Sequence, residues 1–193
     1  MTLRQVGDGE WNGVDITQGR LDLEGCNISS QSLACVGIRG GADPRLRRNH
    51  IHDGNQGGVI ISDNGKGTLE DNDIFANTFA GVQVTGEGSD PTVRRNLIHD
   101  GKQSAVFVND NGKGTFEGND IFANTVAGVV IRSGGDPTMR NNRINKNVYE
   151  AAWILEGGGG TFEDNDLRDN GGKGAWDVDE SSESKVQRAR NQE

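Results

Sequence analysis

Apolar residues recur along this chain in two short patterns rather than in long runs. The first is an apolar residue, two others, Asn, one residue, then Ile or Leu. It reads Leu46…Asn49…Ile51, Leu69…Asn72…Ile74 and Val93…Asn96…Ile98, then Phe116…Asn119…Ile121, Met139…Asn142…Ile144 and Phe162…Asn165…Leu167. Leu23…Cys26…Ile28 and Val186…Ala189 are degenerate copies, and successive leading residues stand 23 or 24 positions apart. Between these copies lies a small residue followed by apolar–x–apolar. It runs Val36/Ile38, Val59/Ile61, Val82/Val84, Val106/Val108, Val129/Ile131, Trp153/Leu155 and Trp176/Val178. Alternation with a period of two in such short bursts predicts strands. The Gly, Asn and Asp between them predict tight corners.

A repeat of this length, built of short strands and corners, predicts an all-β fold: a right-handed parallel β-helix of about seven coils. Leucine-rich repeats share the length, but their LxxLxLxxN run is missing. Strands of adjacent coils stack about 4.8 Å apart, so equivalent residues form columns along the axis. The Leu, Ile and Val columns are the predicted core. Asn49, Asn72, Asn96, Asn119, Asn142 and Asn165 form a predicted ladder at one corner, each amide bonding its neighbours. Asn suits that place because it tolerates a left-handed backbone and carries both donor and acceptor.

The position between the two core residues of the second pattern faces outward. It reads Gly37, Ile60, Gln83, Phe107, Val130, Ile154 and Asp177. Large apolar residues there predict a contact face made of Ile60, Gln83, Phe107, Val130 and Ile154. A second outward column reads Glu24, Arg47, Glu70, Arg94, Glu117, Arg140, Glu163. Opposite charges above one another predict a structural salt-bridge column. Residues 1–18 are read as an N-terminal half-coil or cap with Trp11 over the core. Residues 19–180 are read as the coils, and 181–193 as a last partial coil and tail.

The net charge of −9 leaves no basic stripe for a nucleic acid. No apolar run is long enough to span a membrane, and no signal-like segment is visible, which points toward a soluble, cytoplasmic setting. Cys26 falls in the Asn column and Cys35 in a column of small residues, so both are expected as buried thiols. His52-Asp53-Gly54 and His99-Asp100-Gly101 alternate with Phe75-Ala76-Asn77 and Phe122-Ala123-Asn124. The two histidines stand two coils apart, too far to share a metal. No metal, cofactor or catalytic residue is predicted.

Asn96…Ile98, His99-Asp100-Gly101 and Ala127-Gly128-Val129 resemble the right-handed β-helix repeats of the pectate-lyase-like superfamily. The resemblance is closest to the branch found in bacterial multidomain proteins and F-box substrate adaptors, and it spans Leu21 to Asp179. It implies the fold but not one activity, because this fold hosts lyases, hydrolases, epimerases and non-catalytic modules. Enzymes of the superfamily place acids and bases on an outer strand face walled by long loops. The three Asp-Pro pairs here precede Arg45, Thr92 and Thr138, not the His of mannuronan epimerases, and every loop is short. The primary expectation is therefore a non-catalytic scaffold or protein-recognition module, with self-association through the same face as one form of it. The alternative is a polysaccharide-binding or polysaccharide-modifying module, with Arg47, Arg94, His52 and His99 as the residues to suspect.

Overall fold

The computed structural model describes residues 1–7 and 9–193. The chain winds as a parallel β-solenoid with three sheets, of seven, eight and eight strands, each coil visiting all three in the same order. The first sheet starts with Thr2–Gln5 and Asn27–Ser30 and ends with Arg143–Asn145. The second runs from Val14–Ile16 to Trp176–Val178, and the third from Asp22–Glu24 to Val186–Ala189. Residues 1–18 thus supply strands to the first two sheets. Trp11, expected over the core, is instead 70% exposed.

Register carries each apolar column the length of the rod. Ile51, Ile74, Ile98, Ile121 and Ile144 pair in sequence along the first sheet. Leu46, Leu69, Val93, Phe116, Met139 and Phe162 do so along the third. All eleven are essentially inaccessible to solvent. Hydrophobic content of 32% is enough because each coil borrows its neighbours' burial.

The corner between the third and first sheets shows how the turn is held. Asn72 Oδ1 accepts from both the backbone N–H and the Nδ2 of Asn49, while Asn49 Nδ2 also donates to the Leu23 carbonyl. The unit repeats through Asn96, Asn119, Asn142 and Asn165 at 2.8–3.0 Å. Asn191 closes it, bonding Asn165 beyond the last Asn that the spacing picks out. The left-handed residue is not the Asn, contrary to the sequence expectation, but the one before it. Arg48, Asp71, Arg95, Asn141 and Asp164 have φ of 52–57°. That backbone costs a non-glycine residue roughly 1–2 kcal/mol, so the amide bonds hold a corner that the chain alone would not favour.

One register assignment needs correction. Ile154 is not on the outer face; it is 0% exposed and lies in the core. Trp153 stands outward in its place, paired with Val130 below and Asp177 above. Sequence hydrophobicity favoured Trp153 and Leu155 as the inward pair. The coil step instead aligns Ala152 with Val129 and Trp176. Trp176 packs edge-on against Phe162, ring centroids 5.0 Å apart, and lies partly buried against the core. Two large indoles stacked in one narrow core column would overpack it.

The ladder generates a stability prediction. Asn119→Ala leaves the buried Asn96 backbone N–H and amide without their acceptor and leaves the Val93 carbonyl without its donor. Each such loss costs about 1–3 kcal/mol, so urea unfolding should show a loss of about 3 kcal/mol or more. Asn191→Ala, at the end of the ladder, should cost clearly less. Equal effects at both sites would contradict this account of the corner.

Candidate functional site

Three outward surfaces carry the residues singled out by sequence. On the second sheet, register places Gly37, Ile60, Gln83, Phe107, Val130, Trp153 and Asp177 in one column. Val130 belongs to this face but retains only 9% exposure, so its neighbours cover it and it is not a free contact. Trp153 is 36% and Phe79 43% exposed. Phe79, in the turn before the strand Ala80–Thr85, meets Phe107 edge-on with centroids 5.9 Å apart. Arg132 lies over the ring of Phe107, its guanidinium carbon 5.4 Å from the ring centre. Tyr149, four residues before Trp153 as Phe79 is before Gln83, is exposed, as is Val148 beside it. A shallow groove of about 300 Å³ lies between Ile60, Gln83, Phe79, Thr78, Asn55 and Gln56. Trp153 and Phe79 are thus functional candidates that sequence reasoning missed. The alternating pattern hides Trp153 by one residue, and Phe79 precedes the strand.

The first sheet has a different outer column. His52, Phe75, His99 and Phe122 stack ring on ring, with centroid separations of 4.9, 5.6 and 4.7 Å. His99 Nδ1 lies 2.7 Å from Asp100 and its Nε2 2.8 Å from Asp73. His52 is held the same way between Asp53 and Asn27. Both nitrogens of each ring are engaged by neighbouring side chains. A cavity of about 490 Å³ lined by Arg4, Asn27, Gln31, His52 and Asp53 lies at one end of this column. Beneath it runs a second Asn ladder that sequence reasoning did not identify. Asn124, Asn147 and Asn170 bond one another, while Asn77 and Asn124 accept from the Gly54 and Gly101 amides. Glycines in alternate coils break its signature in the sequence.

On the third sheet the charge column forms in register from Glu24 to Glu163. Its pairing is uneven. Arg47 binds Glu24 at 2.6 Å. Glu70, largely buried, gathers Arg45 at 2.9 Å, Arg94 at 3.2 Å and Arg95. Glu117 joins no ion pair among the described residues. Arg47 and Arg94 are thus neutralised by their own column, which leaves little of either for an anionic ligand. The structure brings His52, His99, Arg47 and Arg94 together nowhere: the histidines and the arginines lie on different sheets. Among the described residues no three His, Cys, Asp or Glu side chains are placed to hold a metal ion.

Cys26 and Cys35 are free and buried. Burial pushes the Cys35 thiol up to about 12, far from the range of a nucleophile. No helix of the described residues is long and apolar enough to cross a membrane.

Comparison with known proteins bears on this geometry. The sequence matches the family profile "Right handed beta helix region" over residues 6–136 and 85–190. No curated protein matches it in sequence. Among solved structures, a mutant of the periplasmic alginate epimerase AlgG superposes with a TM-score of 0.80 at 15% identity, over 93% of this chain and 46% of that one. The unsubstituted AlgG gives 0.62 at 16% identity, over 89% and 42%. The A-module of the Azotobacter vinelandii mannuronan C-5 epimerase AlgE4 gives 0.52 at 11% identity, over 99% and 83%. At these identities the likeness is one of fold, and this chain spans less than half the length of AlgG.

The Glu70 cluster generates a pH prediction. Hydrogen bonds from Arg45 first, then Arg95 and Arg94, pull its carboxyl from 4.5 to about 2. A depressed folded-state value stabilises the fold above the unfolded-state value and loses that stabilisation as pH falls through the folded one. Thermal stability should therefore drop between about pH 4.5 and 2. Glu70→Gln should be less stable than the parent at pH 7 and show a flatter acid limb. Parallel acid limbs for the two proteins would refute the assignment.

Proposed function

The chain belongs to the right-handed β-helix family, and we propose that it is a polysaccharide-binding solenoid whose contact surface is the outer face of its second sheet. The observation that carries this reading is the group of exposed or half-exposed rings there, Phe107 and Trp153 in the outer column and Phe79 packed against Phe107 from the adjoining turn, with Tyr149 exposed at the turn position equivalent to Phe79. Pyranose rings have apolar C–H faces that pack on aromatic side chains, while their rim hydroxyls take hydrogen bonds. Aromatic bodies with polar neighbours meet both needs. Gln83, Gln56, Asn55 and Thr78 supply amides and a hydroxyl along the groove beside Phe79. The fold shared with AlgG and the AlgE4 module, both named as epimerases of such polymers, supports the substrate class.

Binding fits this face better than modification does. Moving a proton at a sugar carbon needs a base and an acid within hydrogen-bond reach of the reacting atom. From Ile60 to Trp153 the outer column bears no ionisable side chain. The hydrogen-bonded histidines His52 and His99 lie on another sheet. A protein partner or a second copy is the second reading, favoured by Val148 and Tyr149 projecting side by side into solvent.

Retention on a panel of immobilised neutral and acidic polysaccharides tests the proposal. At least one should retain the protein, and Trp153→Ala, with an unchanged circular dichroism spectrum, should weaken retention about tenfold, as loss of an anchoring ring does. Retention by no polysaccharide, or undiminished retention of Trp153→Ala, would overturn it. A dimer dissociated by the same substitution would favour the second reading.

A further inference from the structure

Resting on that reading, we infer that the glycan is uncharged and extended, an equatorially linked hexosan, and that the face discriminates against polyuronates. Two observations point this way: the charge of the face and the spacing of its rings.

A polyuronate carries one carboxylate per sugar, so a chain lying along the rod presents a row of anions to whatever it touches. Holding it requires unpaired cations at similar intervals, as a phosphate backbone does. The second sheet offers none in the column between Ile60 and Trp153. Several of the cations at its margins are engaged, and Lys102, in the turn before Val106, joins no ion pair among the described residues but is a single charge against a row of carboxylates. Arg39 is bound to Asp15 at 2.5 Å, and Lys173 to Asp177 at 2.7 Å. Arg132 packs on one face of Phe107, whose ring stays half-exposed, and its Nε lies 4.0 Å from Glu156. Asp15 and Asp177 occupy the two ends of the outer column itself. With a net charge of −9 over the chain, the field at this face repels an anionic polymer and leaves a neutral one untouched.

The rings set the second condition. Phe107 and Trp153 occupy the same column two coils apart, with Val130 between. Two coils advance about 10 Å along the axis. An extended, equatorially linked hexosan turns over at every sugar and repeats every second one, over close to the same distance. Alternate sugars therefore present the same C–H face to Phe107 and Trp153. The residue between them lies above Val130, whose low profile leaves it room. Axially linked glycans coil and lose this match.

A pair of ligands isolates the effect of charge. A hexamer of β-1,4-linked mannose and one of β-1,4-linked mannuronate share ring, configuration and linkage, and differ only at C6 in a hydroxymethyl against a carboxylate. Isothermal titration at low and high salt should show the mannose hexamer binding, with affinity nearly independent of salt, and the mannuronate hexamer at least about tenfold weaker at low salt. Phe107→Leu and Trp153→Leu keep apolar bulk but remove the ring, and each should weaken the mannose hexamer about tenfold. Equal binding of the two hexamers, or preference for the mannuronate, would overturn the inference while leaving polysaccharide binding intact. Binding of neither hexamer, with retention on some acidic polysaccharide, would also overturn it alone. Binding to no polysaccharide at all would remove both readings. Unchanged affinity in both leucine variants would contradict the placement on this face.

Discussion

Every feature of this molecule depends on one constraint: equivalent residues of successive coils must tolerate lying about 4.8 Å apart. A residue type that bonds to a copy of itself satisfies that constraint best. Asn does so at two corners, because its amide accepts on one side and donates on the other, and a row of amides can satisfy itself without water. The energetic consequence is that buried polar groups, ordinarily a cost, hold the corners. They also hold Arg48, Asp71 and their equivalents in a left-handed backbone that non-glycine residues avoid.

Charge and aromatic residues obey the same rule in different ways. Like charges cannot stack, so Glu and Arg alternate from coil to coil on the third sheet. Uneven pairing then concentrates three guanidinium groups on Glu70. Rings can stack, and on the first sheet His and Phe alternate in contact, with flanking carboxylates engaging the imidazoles. On the second sheet the outer column repeats nothing. Ile60, Gln83, Phe107, Val130 and Trp153 differ at every coil. The composition of that column is therefore not set by stacking like on like.

The solenoid was legible because its period is written in residues that recur in register only where coils stack. Six Asn, each two positions before Ile or Leu, leave little freedom in the register of the first and third sheets. The second sheet was less legible where a large residue and a small one compete for the interior. Near Trp153, hydrophobicity pointed the indole inward, while the coil step and the space taken by Trp176 turned it out and placed Ile154 in the core. The second Asn ladder was hidden because Gly54 and Gly101 occupy its positions in alternate coils, joining the ladder through their amides alone. Phe79 could not be read as part of a face because its contact with Phe107 crosses from a turn to the next coil's strand. The expectation of a scaffold rested on the apolar outer residues together with the missing enzyme motifs and the short loops. Ile154 and Val130 prove covered, while aromatic rings stand open on and beside that face.

The chain has three tryptophans, which makes one measurement decisive for the central claim that an outward column of the second sheet is the ligand surface. Trp11 lies near the first coil, Trp153 on the outer face, and Trp176 against Phe162, with its Nε1–H donating to Glu193 at 2.7 Å. Each gives one indole N–H resonance in a nitrogen-15 correlation spectrum. Titration with a mannose hexamer should move the Trp153 signal and leave those of Trp11 and Trp176 in place. Movement of Trp11 or Trp176 with Trp153 unchanged would place the ligand at the ends of the rod and contradict the account.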